Sequence, residues 1–506
     1  MIASKNKNQL FSFIQTYSVY LIYLALILVA AYLCFYKLDV ASLQHWDEAR
    51  HGVNAYEMYK TGNYIVNTYN YENDYFNLKP PLSYWGIILG FKLFGVSIFS
   101  MRFYSALSLF LTFLAVAFYL HKYYGKIAAV SGMLFFISCS DLFFRHAGRN
   151  ADADAQYILL FTVALLFMLR VWKHTNYIYI CGLLFSLAFL SKSWHALVLL
   201  SIGGIYLIFS GLWKQLKVSN YLLFLLCAFG PILLWAVVRY QYDGMEFLGQ
   251  MFGVDVTQRI SGSAGANPSY SFFTSYLLSY RPILLISIIC GILLLFFLIL
   301  GKSQKQTGRT VSETSVYAVR YTQTVLAFLL WVFVPLVVYN MSHTYYYWYI
   351  FPIYIPLIMI AAILIQKLYQ FMQNKKSLFY CLMLVPAFLV AVECRNTLND
   401  LDDLEVSGFQ TDIKAAMDSH PELHQMDFFV EKTDNEYKES TYWEQAGLLA
   451  AELSGDLFCH DGGVDAFLKV PGNALIIVDP ETYEAREDLL SPLQIVYENE
   501  YLILKK

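Results

Sequence analysis

The chain of 506 residues is 58% hydrophobic and only 14% charged, with a formal net charge of −3. Soluble domains run near a quarter charged, so this composition excludes an ordinary soluble enzyme and points to a polytopic membrane protein. The near-neutral balance gives no basis for a nucleic-acid partner.

The 41 tyrosines and 39 phenylalanines exceed what helix packing needs and fit aromatic belts at the membrane interfaces. Of the eight cysteines, Cys34, Cys139, Cys181, Cys227, Cys290 and Cys381 lie in apolar runs, and no CxxC pair occurs. They read as small buried hydrophobes, so neither a zinc site nor a disulfide framework is implied.

A spanning helix needs about 20 mostly apolar residues. In chain order the runs that meet this are 16–36, 103–121, 126–144, 155–172, 176–190, 195–211, 220–239, 282–300, 322–341, 347–367 and 378–394. The first is too long for a signal peptide and has no small-residue cleavage site, so it reads as a retained helix. The stretch 82–95, "LSYWGIILGFKLFG", is apolar but short, and suits an interfacial or re-entrant helix better than a span. The positive-inside rule supports that choice. With 82–95 not crossing, Lys5 and Lys7 fall on the cytoplasmic side with "HKYYGK", "RVWKH", "GLWKQLK", "GKSQKQTGRT" and "QKLYQFMQNKK". Loops 37–102, 145–154, 191–194, 240–281 and 342–346 then fall on the opposite side, together with the tail after 395.

The tail changes character. "MDFFVEK" and "ALIIVDP" look like buried strands, and "YWEQAGLLAAELSG" has helical spacing with a glycine stop. The expected architecture is an all-α polytopic membrane domain over 1–394, with about 11–13 transmembrane helices. A small α/β domain outside the cytoplasm follows over 395–506.

Nearly all the unusual polar residues sit on the non-cytoplasmic face. Loop 37–102 holds "HWDEARHG" and "FNLKPPLSYW", loop 145–154 reads "RHAGRNADAD", and Lys192 is a lone lysine in "FLSKSWHAL". Further on come "FGVDVTQRISG" and "SHTYYYWYIFP". Ionisable groups at bilayer depth cost a few kcal/mol each and mark function or mutual pairing. A carboxylate there can take a proton from an acceptor hydroxyl. Lysine, arginine and tyrosine can hold a phosphate and stabilise it as a leaving group. Together these describe displacement at a carbon that carries a phosphate, and a lipid-linked sugar is a substrate of that kind.

"DEAR" after the first helix, "KPPLSYW" some thirty residues on, "FKLFG" and "RFYSALS" resemble the membrane glycosyltransferases of the GT-C class. They are most similar to the lipid A aminoarabinose transferase and protein O-mannosyltransferase group, with motif order agreeing over about residues 40–352. The resemblance implies a GT-C type fold whose first outer loop, at about 37–102, is catalytic. It implies that Asp47 activates the acceptor, supported by Glu48. Lys79 and Arg259 would grip the phosphate of a polyprenyl-phosphate sugar, with a tyrosine from 345–349 as third partner, Tyr345, Tyr347 and Tyr349 all being candidates. Arg50 would join them or orient Asp47. Arg149 with Asp152 or Asp154 looks like the family's second polar motif. The implied reaction is a single inverting displacement at the anomeric carbon, onto a lipid, glycan or protein acceptor. The implied location is a bacterial inner membrane, with the N-terminus cytoplasmic. The resemblance fixes no cofactor and leaves a divalent cation open; His45 and His51 flank the acids without the fixed spacing of a metal site.

The sequence departs from the family at "SHTYYYWY", where His343 stands in place of a cation, and at "RNADAD", whose two aspartates leave the register open. Plainer readings stand beside each assignment. Asp47 and Glu48 could cap a juxtamembrane helix, Lys79 and Lys192 could snorkel, and the tyrosines could form a belt. A transporter or flippase for a lipid-linked sugar is the alternative function, and an inactive scaffold is a third. Polar groups gathered in loops, with no internal repeat, disfavour a transporter.

Overall fold

The computed structural model describes residues 2–44, 46–258, 272–279, 281–300, 311–341, 345–405, 407–430, 442–460 and 462–506. In hydrocarbon every backbone polar group must be satisfied internally, so long apolar runs fold as helices. Among the described residues seven helices are long and apolar enough to cross a membrane. They are Tyr17–Phe35, Ile98–Tyr123, Tyr177–Phe209, Val218–Asp243, Gln323–Met341, Tyr347–Phe371 and Gln373–Asp402. Shorter apolar helices span Leu82–Phe94, Lys126–Ile137, Asp154–Met168 and Pro282–Leu293. Every run read from the sequence falls on one of these, and the runs 176–190 and 195–211 join into one stretch, Tyr177–Phe209. That stretch is broken by a 3-10 turn at Ser193–Ala196, immediately after Lys192. The 13-residue helix Leu82–Phe94 is about 20 Å long, too short for a bilayer core.

Phe351–Phe371 is the central helix: Ile353, Tyr354, Ile355, Ile358 and Met359 are fully buried. Val218–Asp243 lies at the rim, with Leu222, Leu226 and Leu233 turned outward. Leu82–Phe94 packs tightly on Ile98–Tyr123, because Gly90 lies against the Ser100 carbonyl. Ser97 starts the latter helix by accepting the Ser100 N–H at 3.2 Å.

After the first span the chain forms a 15-residue helix, Asp47–Thr61, called here the site helix. It stops at Gly62, whose φ of 72° and N–H to the Met58 carbonyl make a left-handed cap. A small hairpin of β1 (Thr68–Tyr69) and β2 (Glu72–Asn73) follows.

The segments read as strands in the tail are β3 (Asp427–Val430) and β5 (Ala474–Val478). With β4 (Phe458–His460), β6 (Gln494–Glu498) and β7 (Leu502–Lys505) they form one sheet in the order β4-β3-β5-β7-β6. β4, β3 and β5 are parallel, and β7 and β6 add antiparallel. Alternate residues serve opposite faces. Phe429, Ile476 and Val478 pack with Val464 and Phe467 on one side. Phe428, Leu475 and Ile477 pack on the other with Leu449 and Ala450 of the helix Tyr442–Gly455. That second core continues into Ala49, Val53 and Tyr56, so the tail and the site helix share one hydrophobic core.

Candidate functional site

The first turn of the site helix carries Asp47 and Glu48, which lead to different places. Successive helical residues are about 100° apart, so neighbours in sequence face different partners. Glu48 is completely buried. Its Oε1 accepts from Arg102 Nε at 2.6 Å and Ala151 N at 3.0 Å. Its Oε2 accepts from Arg102 Nη2 at 2.9 Å and Gln44 N at 2.8 Å. This is a locked structural contact, and it ties the helix start to the loop 145–153.

The Asp47 side chain is 40% exposed. Around it gather Lys79, from the "KPP" entry to Leu82–Phe94, and His146, Asp152 and Asp154, from the 145–154 loop. Lys192 joins from the break in Tyr177–Phe209. Lys79 Nζ lies 3.4 Å from Asp47 and 2.9 Å from Asp152. His146 Nε2 lies 3.2 Å from Asp47, and its Nδ1 lies 3.4 Å from Asp152 and 3.6 Å from Asp154. Lys192 pairs with Asp154, and its ammonium sits 5.5 Å from the Tyr349 ring. Three carboxylates thus face two ammonium groups and an imidazole.

Burial opposes ionisation of Asp47 and Asp152, but the Lys79 ammonium and the His146 ring outweigh it. Both carboxyls are held below the ordinary range. Lys79 responds in kind: burial would lower it, yet Asp152 and Asp47 raise it well above its usual value. His146 is also opposed by burial, but its hydrogen bonds to Asp154 and Asp47 raise it to about 10, so the ring is an imidazolium.

The backbone here is strained. Trp46 (φ 65°), His146 (φ 62°) and Ser193 (φ 55°) take positive φ without being glycine. Each is a cluster residue or its immediate neighbour, the kind of strain that collects at functional sites. The His146 ring is also fixed by stacking on Trp348, with centroids 3.8 Å apart and planes 3° apart. Tyr346 stacks on Trp348 at 4.7 Å.

The other sequence-derived candidates lie as follows. Arg50 makes a bidentate pair with Asp74, at 2.9 Å through both Nε and Nη2, its guanidinium set against Tyr69 and Phe76. Arg149 does not pair with Asp152 or Asp154; it donates to the carbonyls of Leu33 and Lys37, at the C-terminal end of the first span. Tyr345 packs on Phe272 and Phe273, and Tyr347 stacks on Tyr276. From the 345–350 segment, Trp348 and Tyr349 are the residues that touch the cluster. Arg259, His45 and His343 lie outside the described residues. His146 is the residue that sequence reasoning missed. It stands in the quoted loop "RHAGRNADAD", and no spacing rule singles it out.

Asp47, His146 and Asp152 each offer one ligand atom, all within 4.8 Å of one another, so this trio could hold a divalent cation only if the His146 ring gave up its proton. Against such a role, Asp152 Oδ1 already faces Lys79 Nζ at 2.9 Å and His146 Nδ1 faces Asp152 and Asp154. Lys79 already supplies positive charge between the two aspartates. The arrangement therefore offers an accessible, ionised carboxylate beside a lysine, on a pre-ordered polar floor.

The pattern of the family described as dolichyl-phosphate-mannose-protein mannosyltransferase matches residues 78–235. Two uncharacterised proteins of Aquifex aeolicus are similar. One is 30% identical over 255 residues, 50% of this chain and 58% of its own length. The other is 25% identical over 268 residues, 51% of this chain and 52% of its own length. The chain thus spans about half the length of the curated relatives it matches. Among solved structures, ArnT from Cupriavidus metallidurans in the apo state superposes with a TM-score of 0.65 at 16% identity, over 95% of this chain and 97% of that one. The same protein bound to undecaprenyl phosphate gives 0.61 over the same shares. The chain is an integral membrane protein with the GT-C fold, similar over residues 78–235 to the protein mannosyltransferase family.

Proposed function

We propose that the protein is a glycosyltransferase that moves a sugar from a polyprenyl-phosphate donor to an acceptor hydroxyl of a lipid, glycan or protein. The observation that carries this is the pairing of the half-exposed Asp47 carboxylate with Lys79 at 3.4 Å. Lys79 binds the donor phosphate. Asp47 takes the proton of the acceptor hydroxyl as its oxygen attacks the anomeric carbon. The carbon–oxygen bond to phosphate breaks, its electron pair leaves with the phosphate, and one displacement inverts the centre.

The same pairing gives the order of events a physical reason. With Lys79 and His146 close by, Asp47 is held below the ordinary carboxylate range and is a weak base. A donor phosphate draws the Lys79 ammonium towards itself, which weakens its hold on Asp47 and strengthens the base once donor is present. Asp152 stays behind as the second partner of Lys79, and Arg259 and a tyrosine of 345–349 complete the phosphate grip.

The reaction takes place outside the cytoplasm of a bacterium, at the inner membrane. Residues 1–394 form the membrane unit and 395–506 the α/β unit. Supporting that orientation, the alternation of apolar runs in the sequence assigns the lysine-rich connectors to the side opposite the loops that carry the cluster.

Native mass spectrometry of the gently purified protein tests the donor assignment. A co-purifying polyprenyl phosphate is expected, lost in Lys79→Ala. A protein that carries no such lipid, or holds it equally in Lys79→Ala, contradicts the reading.

A further inference from the structure

The tail does more than sit beside the site helix. Ala49, Val53 and Tyr56 share a core with Leu448 and Leu449, and a Cβ on Gly52 would fall 2.7 Å from Leu449 Cδ2. Towards the far end of the site helix two acids meet across this contact. Glu57 is 0% and Glu452 2% exposed, within hydrogen-bonding reach of one another. Glu57 Oε2 accepts the Tyr71 N–H at 3.0 Å. Glu57 Oε1 and both oxygens of Glu452 find no other hydrogen-bond partner among the described residues. Two carboxyl groups can hydrogen-bond only if one carries a proton.

The groups around the pair offer little compensation. Asp456 faces Glu452 and takes Lys60 at 2.6 Å, with Tyr56 and Gln425 also donating to it. Tyr71 faces both acids, and the Thr68 hydroxyl and the Asn70 N–H face Glu57. Lys60 is the cation that acts on Glu452, and it is already committed to Asp456.

We propose that Glu57 and Glu452 share a proton across this contact, and that losing it as pH rises unseats the tail from the helix that carries Asp47. Glu452 is then a positioning residue, acting on the site through the site helix. Burial raises both carboxyls, and for Glu452 the neighbouring Glu57 and Asp456 add to it against Lys60. A carboxyl raised in the folded state binds its proton more tightly there than in the unfolded chain. Its contribution is complete below the ordinary carboxyl range and declines as pH climbs towards the raised value.

Hydrogen exchange of the full-length protein in lipid nanodiscs, corrected for intrinsic rates, reads this contact without any sugar transfer. A failure here is therefore separate from a failure of the transferase reading. From about pH 6 upward, wild-type amides of 445–455 and 49–61 are expected to lose protection by up to about tenfold per pH unit within the titration window. Glu452→Gln and Glu57→Gln, which each remove one of the two ionisable carboxyls, lose less protection than wild type over the same range. A wild-type profile flat with pH overturns the proposal, as do variants whose profiles follow the wild type. Protection already lost at pH 6 in both variants also overturns it.

Discussion

Replacing Glu48 separates the two acids of the "DEAR" motif more sharply than any other change. Glu48→Ala removes an acceptor of four hydrogen bonds and leaves Arg102 as a buried cation. Arg102 keeps its bonds to the carbonyls of Leu38 (3.1 Å), Ala41 (2.8 Å) and Ser42 (3.0 Å), but these dipoles do not cancel a full charge. Breaking one side of a buried ion pair costs about 3–5 kcal/mol, a large part of the roughly 5–15 kcal/mol that holds a typical protein folded. The melting temperature of Glu48→Ala in detergent, followed by intrinsic fluorescence, should fall well below wild type. The double variant Glu48→Leu/Arg102→Leu should lose less than the sum of its singles, with coupling of about 0.5–3 kcal/mol. A Glu48→Ala protein that melts like wild type but has lost turnover would refute this reasoning and return Glu48 to the chemistry.

Two other substitutions probe neighbouring parts of the account. Gly90→Ala places a Cβ 2.1 Å from the Ser100 carbonyl oxygen, a backbone atom that cannot step aside, so it should lower both expression and melting temperature; unchanged melting would mean the helices Leu82–Phe94 and Ile98–Tyr123 can part easily. Trp348→Leu removes the ring beneath His146 and should reduce kcat by about tenfold or more, with little change in donor KM, since small misplacements of catalytic groups are costly. Trp348→Phe, which restores a stacking ring, should recover most of the loss, and equal defects in the two variants would contradict the stacking role.

Much of the architecture was legible because apolar length and lysine placement are both local signals. The spans, the short helix at 82–94 and the strands at "MDFFVEK" and "ALIIVDP" all register within a window of a few residues. Within the site, Asp47, Lys79, Asp152 and Asp154 converge as their loops suggested. The contacts of Glu48, Arg50 and Arg149 were not legible, because adjacency in sequence does not say which way a side chain points. Arg149 follows His146 by three residues, yet it turns to the end of the first span while His146 enters the cluster. His146 owes its place to a positive φ and a stacked tryptophan some two hundred residues away. The contact between tail and site helix spans nearly four hundred residues, and the acids that meet in it carry no sign of pairing in their own segments.

The most direct test of the central claim is turnover of a purified polyprenyl-phosphate sugar with an acceptor, read by the anomeric configuration of the product. An inverted product is expected from wild type. A loss of about 10²–10⁴-fold is expected in Asp47→Asn with donor still bound, the range for removing a general base. A retained anomeric configuration, or an Asp47→Asn variant that turns over like wild type, would contradict it.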